Sequence, residues 1–198
     1  MTTLKLKVLA CSALMIGLFS CGKRDTNPTP TRAVTKTDSM EIPFSSSNYT
    51  FYSFKDSAIV SNSDSATSKW DFGIRFVDII VNSHASGPGN AGVILQPGLF
   101  DNFMTAPQSS YSYDTTTSQL AINSRPFDLN SWFNYDLATH TPIVKAGQFF
   151  VFKTADNFYA KMEVLAISYA GFNGNNSPPT TLIYKFRYVY QANGTRNF

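Results

Sequence analysis

Cysteine is nearly absent from this 198-residue chain: only Cys11 and Cys21 occur, both near the N-terminus. With no thiol beyond residue 21, no disulfide can brace a domain built from the rest. Histidine is as scarce. His84 and His140 stand alone, and a His-x-x-x-His zinc spacing is missing. Charged residues are only 15% of the chain and form no basic cluster, which argues against nucleic acid as a partner. Neither Gly-Lys-Ser/Thr nor Gly-x-Gly-x-x-Gly opens a helix, so the glycine-rich stretch 86–92 reads as a turn and not as a phosphate loop. The nucleophile elbow of a serine hydrolase is also missing. Ser83-His84 and Thr139-His140 are chain neighbours whose side chains would point apart on a strand. No enzymatic activity is expected.

Aromatic residues, by contrast, are plentiful at 15%, with 17 Phe and 10 Tyr. Residues 148–153 and 158–165 flank Thr154-Ala155-Asp156-Asn157, whose Asp and Asn tolerate the left-handed backbone of a tight turn. In the second arm Phe158, Ala160, Met162 and Val164 share one face, and Tyr159, Lys161 and Glu163 the other. Residues 181–190 repeat the alternation, with Leu182, Tyr184, Phe186, Tyr188 and Tyr190 opposite Lys185 and Arg187. Period two over these runs predicts half-buried strands in an antiparallel sheet. Further strands are expected within 48–55, 58–60 and 93–95. Residues 70–82 read as one long strand that becomes apolar on both faces after Asp78. The fold class is all-β, with mostly antiparallel sheets in a single domain.

The N-terminus reads differently. Lys5 and Lys7 precede an apolar run, 8–19, that is too short to span a membrane. It ends in Leu18-Phe19-Ser20-Cys21, which resembles the lipobox of bacterial lipoproteins. That resemblance implies cleavage before Cys21, a diacylglycerol on its thiol, and a membrane anchor through that lipid. Residues 1–20 are then a signal peptide, and their loss takes the formal charge from +3 to +1. Residues 21–40, rich in Thr and Pro, read as a tether that cannot bury enough apolar surface to order itself. The folded domain is expected over 41–198.

Several of these segments together resemble the HmuY family of haem-binding lipoproteins of Bacteroidetes. They are the Trp70-Asp71 strand, Asn82, the Gly87 to Gly92 turn, Lys153-Thr154-Ala155-Asp156 with Tyr159-Ala160-Lys161, and Phe186-Arg187-Tyr188-Val189-Tyr190-Gln191. The resemblance implies long loops that clamp a haem, here within 98–142. It also implies transfer of the haem to a TonB-dependent outer-membrane receptor for iron acquisition. The protein would be lipid-anchored at the outer membrane. The contrasting reading is a lipoprotein of the same scaffold that binds a protein or glycan instead.

An axial ligand to haem iron needs a lone pair from imidazole, thioether, thiolate or phenolate. His140, Met104 and His84 are the imidazole and thioether donors expected in loops. Met40 falls at the end of the expected tether, and Met162 on an apolar strand face. Phe100, Phe103, Tyr111, Trp132 and Phe133 are the candidate walls for the porphyrin faces.

Overall fold

The computed structural model describes residues 33–171 and 178–198. Cys21 and the whole signal-peptide segment lie outside them. Among these residues, eleven strands form three antiparallel sheets. They are β1 (Thr35–Pro43), β2 (Thr50–Ser53), β3 (Ala58–Val60), β4 (Phe72–Arg75), β5 (Asp78–Val81), β6 (Gly92–Pro97), β7 (Phe133–Asp136), β8 (Thr141–Val144), β9 (Gln148–Lys153), β10 (Tyr159–Ala170) and β11 (Thr181–Gln191). One sheet has the order β1-β11-β10-β9-β6 and another β3-β2-β4-β5, while β7 and β8 make a hairpin of their own. No helix among the described residues is long and apolar enough to cross a membrane.

The main core is shared by the two larger sheets. Met162, Val164, Tyr184, Phe186 and Tyr188 meet Tyr52, Phe72, Ile74 and Ile79 there. Each sheet is also covered on its far side. Phe149 and Val151 of β9 pack with Phe100, Ala106, Val189 and Phe198. Phe51 and Ile80 pack with Trp70. Burial on both faces explains why β9 reads Phe149-Phe150-Val151-Phe152 without alternation.

Two expectations need correction. The run 70–82 is not one strand but the hairpin β4–β5, in which Arg75 pairs with Asp78 across a two-residue turn. Phe76 takes the left-handed backbone there, at φ +53°. Gly or Asn usually marks such a turn. Here tertiary contacts hold it instead: the Phe76 ring lies 5.6 Å from Phe44, and its carbonyl accepts the Tyr184 hydroxyl. The second correction concerns the tether. Residues 35–40 are not tether but most of β1, paired with β11 from Thr35↔Val189 to Pro43↔Thr181. Met40 and Ile42 are fully buried in the main core, and the Tyr52 hydroxyl donates to Asp38 at 2.5 Å. The outer half of β1 is exposed on both faces, as an edge strand is, so it carries no alternating signal.

Three buried polar side chains hold the loops where a secreted domain often uses disulfides. Asp71 accepts the N–H groups of Phe54 (2.8 Å) and Ala155 (2.9 Å), which come from two distant segments. Asp114 accepts those of Val81 (2.8 Å) and Ala121 (2.7 Å). Asn82 accepts the Gly89 N–H and donates to the Thr67 and Trp70 carbonyls. A Cβ at Gly87 would stand 2.2 Å from Asn82 Oδ1, so the glycine-rich turn exists to let the backbone approach this amide.

Candidate functional site

The β7–β8 hairpin carries His140. Asp136 pairs with Thr141, leaving Leu137-Ala138-Thr139-His140 as the loop. The Asp136 carboxylate organises it by accepting the Thr139 hydroxyl (2.7 Å) and the Ala138 N–H (2.9 Å). These bonds, the Thr139 hydroxyl first, hold the Asp136 carboxyl below the usual carboxylate range. His140 closes the loop at φ +53° and is exposed.

A bulge in β10 supplies the other half of the site. Leu165 is skipped in the pairing between Val164↔Phe186 and Ala166↔Lys185. Inward positions therefore change from even (Met162, Val164) to odd (Ile167, Tyr169). Tyr169 is thereby turned towards the hairpin, and its hydroxyl donates to the His140 carbonyl at 2.9 Å. Burial raises the Tyr169 pKa, which keeps this hydroxyl a donor. The His140 ring stands 6.4 Å from Tyr135, and Tyr135 stands 6.3 Å from Phe127, edge to face. Phe44 continues the aromatic surface from Tyr169, at 5.9 Å, to Phe76. Phe127 and Leu137 are each 65% exposed, so the surface is apolar as well as aromatic.

The other expected donors are not brought to this surface. Met104 is exposed in the loop over the opposite face of the five-stranded sheet, where its carbonyl accepts the Phe198 N–H. His84 lies beyond Val81, at the end of β5 away from the Phe76 turn, with its ring 5.4 Å from Tyr113. The expected wall residues divide in the same way. Phe100, Phe103 and Tyr111 belong to the cluster under the Met104 loop. Trp132 and Phe133 lie in the main core at the base of the β7–β8 hairpin. The ring beside His140 is Tyr135, which Phe127 flanks in turn, while Tyr169 reaches only the His140 carbonyl and leads on to Phe44 and Phe76; none of these was singled out from the sequence. The one usable signal was the alternation of β10, which breaks at Leu165.

The 98–142 segment does form a cleft, but elsewhere along its length. It measures about 410 Å³ and is lined by Asp78 and residues of 118–125, with neither His nor Met.

The molecule is thus an all-β protein that displays one imidazole on an aromatic hairpin surface. No protein-family model matches the sequence, and no curated protein matches it. Solved structures do. A candidate HmuY-like heme-binding protein from Bacteroides vulgatus is 17% identical over 78% of this chain and 92% of its own, with a TM-score of 0.47. The apo form of an HmuY analog from Tannerella forsythia is 14% identical over 80% and 98%, also at 0.47. A candidate lipoprotein from Bacteroides fragilis is 15% identical over 78% and 89%, at 0.45. At these values the likeness is one of general layout and carries nothing about the site.

Proposed function

We propose that this chain is a lipid-anchored haem carrier that captures haem at the β7–β8 hairpin and passes it to a TonB-dependent outer-membrane receptor. The observation that supports this most is the exposed His140 imidazole beside the Tyr135 ring, on a hairpin loop that the Tyr169 hydroxyl holds through the His140 carbonyl. An imidazole lone pair suits haem iron, and flat apolar rings suit a porphyrin edge and face. An open surface suits a cargo that must leave again. The sequence resemblance supplies the haem and the receptor.

The test is a haemin titration of residues 22–198, read by the Soret and Q bands in ferric and ferrous states. A shifted Soret band with the high-spin Q bands of a haem held by one imidazole is expected for the parent. His140→Ala should lose it, and Met104→Ala and His84→Ala should keep it. Unchanged spectra in all three variants would remove His140 as ligand. No Soret shift in the parent would remove haem as the cargo.

The anchor is proposed on the lipobox alone. Cys21→Ala should move the protein from the detergent phase to the aqueous phase on phase partitioning. Partitioning like the parent's would exclude a lipid on Cys21.

A further inference from the structure

The cleft beside the β4–β5 hairpin has a lining unlike that of a porphyrin site. Asp78, Ser118, Gln119, Asn123, Ser124 and Arg125 are polar, and only Leu120 and Ile122 are not. Small-molecule sites of roughly 300–1,000 Å³ are usually lined mainly by apolar and aromatic side chains. At about 410 Å³ this one has the size, but six of its eight lining residues are polar and none is aromatic.

Its walls are held from behind. The Asp114 carboxylate ties Ala121 to Val81. Leu120 packs towards Phe51, Trp70 and Ile80, and Ile122 enters the main core. The Trp132 indole donates to Ser124 Oγ at 3.3 Å. The Asn123 carboxamide accepts the Arg125 N–H at 3.0 Å. The polar groups therefore stand on a fixed frame.

The rim carries one carboxylate, Asp78, and one guanidinium, Arg125, so its charges cancel. Asp78 is also paired with Arg75 at 3.2 Å. An ionic ligand of either sign would meet a like charge on one side of the rim. A neutral ligand rich in hydroxyls would not, and it would use carboxamides, hydroxyls and a carboxylate as mixed donors and acceptors. Leu120, only half-buried, would meet its C–H side, whereas Ile122 is spent on the core.

We propose that this cleft binds a neutral saccharide, at a site separate from the His140 surface and independent of haem. The test uses uniformly ¹⁵N-labelled residues 22–198 and follows amide shifts. The probes are the methyl glycosides of glucose, galactose, mannose and N-acetylglucosamine, together with maltose and cellobiose. At least one should shift the signals of 118–125 saturably at millimolar concentrations. Gln119→Ala removes an exposed side chain and should weaken that binding about threefold to tenfold, the worth of one hydrogen bond. His140→Ala should leave it unchanged. If no probe shifts these signals at tens of millimolar, or if diglycine shifts them and no sugar does, the assignment is overturned.

Discussion

Asp71→Ala should lower the unfolding free energy by roughly 2–6 kcal/mol, because it leaves two buried backbone N–H groups, those of Phe54 and Ala155, without an acceptor. Asp71→Asn should cost less but still about 1–3 kcal/mol, since a carboxamide offers one oxygen and turns an N–H₂ towards the other donor. The cost should also depend on pH. Burial pushes the Asp71 carboxyl up to about 6, against the pull of its two N–H partners. In the unfolded chain it titrates near 3.9. The folded state therefore holds the proton more tightly. The stabilisation this gives is full below about pH 4, is lost between about pH 4 and about pH 6, and changes no further above that. Urea unfolding of the parent and of Asp71→Asn across this range isolates the effect, because every other carboxyl is common to both. The parent should lose stability relative to the variant as pH rises, by up to about 3 kcal/mol. A gap that moves the other way would mean that the two N–H bonds outweigh burial and keep the carboxylate ionised.

A chain that starts at Glu41 should fold far less stably than one that starts at Ala33. The shorter chain loses Thr35 to Met40, most of the pairing of β1 with β11. It loses Met40 from the main core, worth about 2–5 kcal/mol by itself. It also loses Asp38, the partner of the Tyr52 hydroxyl. A drop in Tm of about 10 °C or more is expected by calorimetry or circular dichroism. The bared edge of β11 is long and apolar on its Leu182, Tyr184, Phe186 and Tyr188 face, with only Lys185 and Arg187 to oppose strand addition, so light scattering should show association as well. Limited proteolysis of the longer chain should stop before Thr35. Equal stability of the two chains would show that β1 is dispensable.

These two features mark where sequence reasoning succeeds and fails. Strands β10 and β11 were legible from a long period-two pattern, and β9 because it is an apolar run tied to β10 by a turn with its own chemistry, Asp156-Asn157. The turn at Phe76 was not legible, because what holds it is Tyr184 and Phe44, both far away in the chain. The first half of β1 was hidden by the loss of alternation that an exposed edge permits. At the site, the sequence offered every donor of the right type but could not say which share a surface. Only pairing between segments separates His140 from Met104 by the thickness of a sheet. Tyr169 could not be chosen at all, since one bulged residue decides which way it faces.

The placement of the two tryptophans has an optical consequence. Trp70 lies in the small cluster outside the four-stranded sheet, and Trp132 lies in the main core at the base of the His140 hairpin. Both are shielded from solvent, and both indole N–H groups are bonded, to the Ser65 carbonyl and to Ser124 Oγ. Their emission should be blue of that of an indole in water, and each shifts red only when its own cluster opens. Intrinsic fluorescence therefore reads the two halves of the molecule as separate channels. Keeping one tryptophan at a time tells whether the outer layer comes away before the centre does.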